Sequence, residues 1–146
     1  MSLYAIGDLH FSTAVNKPMD VFGKHWEGHE NKIISDWMKN VKDDDTVLVL
    51  GDTSWGINLE EAKEDLDIIN NLPGKKIFVK GNHDYWWTTV TNLNKLYEDM
   101  SFLQTNFYEY NDYAICGGRG WMCPNDVKFD GNDEKIYVRE ENRLRL

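Results

Sequence analysis

The sequence of 146 residues predicts a single α/β domain over residues 1–146, built on a parallel sheet. Two observations carry this prediction. Three short apolar runs, typical of buried strands, recur along the first part of the chain, and each ends at a glycine or directly before one. The stretches between these runs carry apolar residues at helical spacing. Strands that alternate with helices in this way are typical of βαβ units, in which right-handed crossovers join parallel strands.

The three predicted strands end in similar sequences. The runs cover residues 2–7, 46–50 and 76–80. Because open α/β sheets place their ligand sites at the carboxyl ends of the strands, we expect the polar side chains that follow the runs to converge at one sheet edge. These strand-end motifs are Gly7-Asp8-Leu9-His10, Gly51-Asp52 and Gly81-Asn82-His83-Asp84.

Helix signals lie between and after the strands. A long loop over residues 9–26 precedes a predicted helix over 30–41, whose apolar residues follow i, i+3, i+4 spacing. A second helix begins after Asn58, a good N-cap, and ends at Pro73-Gly74. A third is predicted over 88–98, although its first residues are threonines of low helix propensity.

The last third of the chain has a different character. Two short runs, 106–110 and 113–116, flank a turn at Asn111-Asp112 and predict an antiparallel hairpin. A glycine-rich loop follows over 117–121, and from residue 132 the chain is predicted to be helical. The pattern stops inside this helix without a capping signal. We therefore expect a truncated or fragmentary form of a longer protein.

Composition and net charge indicate which classes of binding partner and which cellular compartment to expect. The formal net charge of −9 argues against a duplex nucleic-acid surface, which needs a basic stripe. The two cysteines, Cys116 and Cys123, have neither zinc-site nor redox spacing, which favours free thiols in a reducing cytoplasm. Neither a signal peptide nor an apolar run of membrane-spanning length is present, so we expect no membrane partner.

Three tryptophans follow the strand-end motifs directly. Trp55, Trp86 and Trp87 either pack in the core around the site, wall a pocket, or form the face of a homo-oligomer. The sequence leaves these alternatives open.

In their order and spacing, the three strand-end motifs resemble the first three blocks of the calcineurin-like metallophosphoesterase family, which read D-x-H, G-D and G-N-H-D/E. The resemblance implies an α/β/β/α sandwich with a mixed sheet, here incomplete at the C-terminus. It also implies a metal-dependent phosphohydrolase that cleaves a small phosphomonoester or phosphodiester by metal-activated hydroxide.

The resemblance further implies a ligand set for two divalent metal ions. Asp52 is the bridging ligand, Asp8 and His10 face the first ion, and the amide oxygen of Asn82 faces the second. Oxygen and nitrogen donors without thiolate suit Mn, Fe, Zn, Co or Ni. His83 matches the family's non-ligand histidine, which donates a proton or hydrogen bond to the leaving oxygen.

Asp84 would orient the His83 ring and raise its basicity.

The sequence departs from the family because no histidine follows His83, whereas the family has two further histidine blocks. The second ion therefore keeps only Asp52 and Asn82, and that site is expected to be incomplete.

Two further residues are candidates for substrate binding. Arg119 in the glycine-rich loop would clamp a phosphate, and His29 would line the substrate pocket beside the long first loop. Two alternatives to a phosphatase remain: a non-catalytic metal-binding remnant, and a nuclease of the same family.

Overall fold

A computed structural model describes residues 1–145. Its centre is a sheet of four parallel strands, ordered as in the chain. The strands are β1 (Leu3–Ile6), β2 (Thr46–Val49), β3 (Lys75–Val79) and β4 (Met100–Leu103). Since all four run in the same direction, the ends of β1, β2 and β3 lie at one edge of the sheet. The predicted α/β class is confirmed.

Helices fill the connections between the strands. Helix α1 (His29–Asn40) and helix α2 (Leu59–Asn70) follow β1 and β2, close to the predicted bounds. The N-cap prediction for α2 is confirmed, because the Asn58 side chain accepts a hydrogen bond from the Glu61 amide at 3.0 Å. The long loop before α1 contains two short 3₁₀ turns, Met19–Phe22 and Lys24–Trp26.

The third predicted helix, 88–98, was wrong in length. Helix α3 covers only Val90–Leu93, and after a turn over residues 94–99 the chain enters β4, which the sequence analysis missed. Thr89 caps the helix rather than joining it, with its hydroxyl accepting a hydrogen bond from the Asn92 amide. Asn94 then accepts a hydrogen bond from the backbone of Phe102 at 2.9 Å, which brings the chain back to the sheet.

The C-terminal elements agree with the sequence. Strands β5 (Phe107–Tyr110) and β6 (Tyr113–Cys116) form the predicted antiparallel hairpin. Helix α4 (Gly131–Leu144) begins at a capping box formed by Asp130 and Asp133. The hairpin is a separate two-stranded sheet, so the parallel and antiparallel pairings lie in two sheets rather than in one mixed sheet.

Aromatic side chains form much of the core behind the sheet edge. Phe78 and Phe102 stack at 5.1 Å between ring centroids, and Trp86 and Trp87 are buried against Phe102. Core packing is therefore the correct reading for these two tryptophans. Within the described residues, none of the helices has the length and apolarity that a membrane crossing requires.

A buried lysine fastens the end of α2 to the sheet. Lys76 on β3 is only 2 % exposed, and its ammonium donates hydrogen bonds to the carbonyl oxygens of Asn70 and Leu72. These carbonyls lie at and just beyond the C-terminus of α2, where intrahelical partners run out. Burial lowers the pKa of Lys76 from its ordinary value, with Asp99 and Asp43 opposing that effect.

We expect Lys76→Met to keep the packing of the methylene chain and to leave both carbonyls without their donor. The free energy of unfolding should fall by about 1–3 kcal/mol, the cost of unsatisfied buried polar groups. Urea denaturation followed by circular dichroism measures this change. Lys75→Met on the same strand is the matched control, because Lys75 is exposed. Equal midpoints for the two variants would contradict the role of Lys76.

Candidate metal centre

Three predicted site residues adopt left-handed backbone conformations. The φ angles are 56° at Asp8, 47° at His10 and 50° at Asp52. Each such conformation costs a residue with a side chain about 1–2 kcal/mol. Strained backbone of this kind concentrates at functional sites and persists where the surrounding structure enforces it. The strain therefore marks the ends of β1 and β2 as a candidate site.

Backbone hydrogen bonds enforce these conformations by aligning the two loops. The amides of Asp8, His10 and Phe11 donate to carbonyl oxygens of the loop after β2, at 3.1, 2.9 and 3.0 Å. The pairing thus continues past the strand ends. It places the side chains of His10 and Asp52 on neighbouring segments.

The loops after β2 and β3 touch each other through glycines. A Cβ atom added to Gly81 would lie 2.1 Å from Asp52 Oδ1, and one added to Gly51 would lie 2.6 Å from the Gly81 Cα atom. Gly51 also has a φ of 90°, a conformation that side chains disfavour. Both glycines are needed for this close approach, which sets the position of the Asp52 carboxylate.

The Asp84 carboxylate holds the same two loops together from beneath. One oxygen accepts hydrogen bonds from the amides of Asp52 and Gly81 at 2.9 and 2.8 Å. The other accepts from the Thr53 amide at 2.8 Å and from the Trp86 indole at 3.0 Å. Asp84 is fully buried.

The Asp84 carboxylate does not contact the His83 ring, which it was predicted to orient. Both of its oxygens are taken by the backbone and by Trp86, whereas the His83 ring contacts another carboxylate. His83 Nδ1 lies 2.8 Å from Asp52 Oδ2, and the His83 amide donates to Asp52 Oδ1 at 2.9 Å. Asp52 therefore performs the orienting function that the sequence analysis assigned to Asp84.

Three side chains converge at this edge of the sheet. One potential ligand atom from each of His10, Asp52 and His83 lies within 4.8 Å of the other two. Asp8 adjoins the group, with its carboxylate 3.5 Å from His10 Nε2, and its side chain is 70 % exposed. Asn82 is exposed, and its amide nitrogen lies 3.0 Å from His83 Nδ1.

The His10 ring is held in the form that a metal ion requires. Burial lowers the pKa of His10 from its ordinary value more than the carboxylates of Asp52 and Asp8 raise it, which favours the neutral ring that binds a metal ion. Trp55 stacks on the ring at 4.8 Å between centroids and also lies 4.9 Å from the His83 ring. Trp55 therefore forms a wall of the site, which is one of the three positions that the sequence left open.

These residues fit a divalent metal ion. His10 Nε2 faces the Asp52 and Asp8 carboxylates, and an imidazole nitrogen with carboxylate oxygens is a donor set that transition ions accept. The His10 Nδ1 atom is buried without a hydrogen-bond partner among the described residues. Nε2 is thus the ring nitrogen of His10 that faces the carboxylates.

The two predicted substrate-binding residues lie in different surroundings. The His29 ring faces the carbonyl oxygens of Leu9 and His10 at 3.1 and 3.3 Å. It thus supports the loop that carries His10 from behind. Arg119 lines an open groove together with Asn82.

The sequence analysis missed a second layer of the site. Asp65 on α2 is fully buried and accepts hydrogen bonds from the Thr13 amide at 3.0 Å and the Ser54 hydroxyl at 2.5 Å. It therefore links the loops after β1 and β2. A signal was present, because Asp65 lies three residues after Ala62 and four before Ile69, on the apolar face of α2.

We expect Asp84→Asn to loosen the contact between the loops after β2 and β3. The substitution replaces one carboxylate oxygen by an NH₂ group, which cannot accept a hydrogen bond. At least one N–H donor is then left unsatisfied, at a cost of about 1–3 kcal/mol. Urea denaturation measures the loss of stability. Asp112→Asn, in the exposed hairpin turn, is the matched control. A stability of Asp84→Asn equal to that of the control would refute this role.

We expect the protein to bind Mn²⁺ through Asp52. Loss of a residue that only supports a metal ligand lowers metal affinity about 10–100-fold. Because Asp52 is itself a proposed ligand, Asp52→Asn should lower the Mn²⁺ affinity on the order of 100-fold or more. Isothermal titration with MnCl₂ gives the affinity and the number of ions per chain. Asp112→Asn again serves as the control. Unchanged Mn²⁺ affinity in Asp52→Asn would place the metal elsewhere.

Comparison with known proteins finds two similar proteins, one by sequence and one by structure. An uncharacterised protein of Methanocaldococcus jannaschii, MJ1445, is 32% identical over 87 residues, which cover 56% of this chain and 46% of that protein. The chain thus spans about half the length of this curated relative. The crystal structure of AQ665, a protein of unknown function from Aquifex aeolicus, is similar with a TM-score of 0.55 and 25% identity. The match covers 97% of this chain and 75% of that one.

The sequence model of the calcineurin-like phosphoesterase family matches residues 1–144, which is nearly the whole chain. The match confirms the resemblance carried by the three strand-end motifs. The chain belongs to the calcineurin-like phosphoesterase family.

Proposed function

We propose that the protein is a metal-dependent phosphohydrolase that cleaves a phosphomonoester or phosphodiester. The observation that carries the proposal is the convergence of His10, Asp52 and His83 at the carboxyl edge of a parallel sheet, on strained backbone. A divalent ion bound there would neutralise charge on the phosphate and would lower the pKa of its bound water toward neutrality.

In this proposal the chain's own residues divide two tasks. Asp52, His10 and Asp8 would hold the first ion, and the amide oxygen of Asn82 would be a ligand of the second. Asp52 also accepts a hydrogen bond from His83 Nδ1, which fixes the ring and leaves Nε2 as the nitrogen that gives a proton to the leaving oxygen. His29 contributes by supporting the His10 backbone.

The proposed partners follow from charge and cysteine chemistry. A small phosphorylated substrate suits a chain of net charge −9, whereas a duplex nucleic acid does not. Manganese is the first metal to test because it accepts mixed oxygen and nitrogen ligands. Cys116 and Cys123 are exposed free thiols, which favours a cytoplasmic location.

Two other functions compete with the proposed one, and the ligand set and the net charge bear on them. A non-catalytic metal-binding remnant is favoured by the second ion's ligand set, which among the described residues contains only Asp52 and Asn82. A nuclease of the same family is disfavoured by the acidic charge. Activity measurements on the metal-loaded protein distinguish these functions from the proposed one.

The test uses two phosphomonoesters that differ in their leaving groups. We expect Mn²⁺-loaded protein to hydrolyse phenyl phosphate and p-nitrophenyl phosphate, and Asp52→Asn to abolish both activities. His83→Ala should lower kcat about 100-fold or more with phenyl phosphate, whose leaving group needs a proton. The loss should be smaller with p-nitrophenyl phosphate, since nitrophenolate leaves without one.

The Mn²⁺ content of each variant is measured in parallel. Equal losses with both substrates, together with loss of Mn²⁺, would make His83 a ligand rather than a proton donor. Mn²⁺ binding without hydrolysis of either ester, or of bis(p-nitrophenyl) phosphate, would favour the remnant.

A further inference from the structure

An open groove of about 430 Å³ lies beside the metal centre. Its walls are the end of the third strand-end motif and the glycine-rich loop, and its lining residues are Asn82, Arg119, Gly120, Trp121 and Met122. Asn82 belongs to both places, because its amide also contacts the His83 ring. The groove and the metal centre are therefore neighbours that share one residue.

Arg119 is held in this groove without an acidic partner. Its guanidinium lies over the Trp121 ring, 4.4 Å from the centroid, and Trp121 is fixed in turn by a hydrogen bond from its indole to Asp133 at 3.0 Å. Within residues 1–145, Arg119 forms no ion pair, and its Nε atom is buried without a hydrogen-bond partner. A buried N–H group in this state favours an incoming oxygen acceptor.

Other cations surround Arg119. Lys80, which like Arg119 forms no ion pair among the described residues, lies within electrostatic range of it, as do Arg139 and Arg143. The carboxylate that opposes this group is Glu140, whose Oε1 atom is bound by Arg139 at 3.1 Å and by Arg143 at 2.8 Å. The negative charge of Asp84 also attracts Lys80, but both oxygens of Asp84 already accept hydrogen bonds from the loop backbone and the Trp86 indole.

The electrostatic consequence is a local excess of positive charge. Burial lowers the pKa of Arg119 despite the opposing effect of Glu140, and the charges of Arg139 and Arg143 lower it further. Such an excess stands out on a chain whose net charge is −9. An oxyanion in the groove would relieve it, and the planar guanidinium fork suits a phosphate.

We propose that this groove binds a second, non-scissile phosphate, and that the substrate class is the phosphoanhydrides, small molecules with two directly linked phosphates. This inference rests on the proposed hydrolase function of the neighbouring centre. The scissile phosphate would occupy the edge formed by His10, Asp52 and His83. The second would lie across Asn82 at Arg119.

The reaction balances without a further reactant. The oxygen of one water molecule bonds to the scissile phosphorus as the bridging P–O bond breaks, and the bonding electron pair leaves with the bridging oxygen on the second phosphate. One water proton passes to solvent, and His83 supplies the proton of the leaving oxygen and regains one from solvent. The leaving group is thus the phosphate held by Arg119.

Binding is tested first, with hydrolysis-resistant probes and metal-free protein. Isothermal titration should give at least tenfold tighter binding of methylenediphosphonate than of methylphosphonate. Arg119→Gln should remove this preference, and Arg119→Lys, which keeps the charge but not the fork, should retain part of it. Arg145→Gln removes the same charge from an exposed position paired with Glu141 and should leave the preference intact.

Turnover is tested second, with Mn²⁺-loaded protein on inorganic pyrophosphate and phenyl phosphate. The ratio of the two kcat/KM values should fall at least tenfold in Arg119→Gln and stay unchanged in Arg145→Gln. Equal binding of the two phosphonates, an unchanged ratio in Arg119→Gln, or preferred cleavage of a single-stranded oligothymidylate would each overturn the proposal. Arg119-dependent binding of methylenediphosphonate without any turnover would support the groove's ligand and refute the hydrolase.

Discussion

The buried Asp84 carboxylate is the contact on which the geometry of the site depends. It accepts hydrogen bonds from the amides of Asp52, Thr53 and Gly81, so it joins the ends of β2 and β3 in one network. Burial raises the pKa of Asp84, while the backbone donors act in the opposite direction. The contact is effective only because glycine stands at positions 51 and 81, where a side chain would separate the two loops.

A second layer of acidic side chains extends this arrangement to the loop after β1. Asp65 on α2 binds the Thr13 amide and the Ser54 hydroxyl, and Glu30 on α1 accepts a hydrogen bond from the Ser12 amide at 3.0 Å. Each helix therefore contributes one carboxylate to the loops at the sheet edge. Together these bonds offset the cost of left-handed backbone at the site residues, so the stability of the fold maintains the strain of the site.

The site and the adjoining groove have opposite electrostatic character. The edge that holds Asp8 and Asp52 attracts cations, whereas the groove at Arg119 lies among an excess of positive over negative side chains. A substrate with linked phosphates would contact both regions at once, with Asn82 at the boundary. Trp55 beside the metal centre and Trp121 beside the groove form walls of low dielectric constant. These walls strengthen the electrostatic potential of each region relative to water.

Local sequence determined the strand ends, the helix caps and the identity of the residues that converge, because apolar runs, glycine positions and capping chemistry act over a few residues. Asp8, His10, Asp52 and His83 could thus be named in advance. The short α3, the strand β4 and the separate hairpin sheet required the folded chain, since they depend on contacts such as Asn94 with Phe102. The same holds for the partners of Asp52 and Asp84. Which carboxylate reaches His83 and which one binds the backbone depends on loop packing, a property of three dimensions rather than of spacing along the chain.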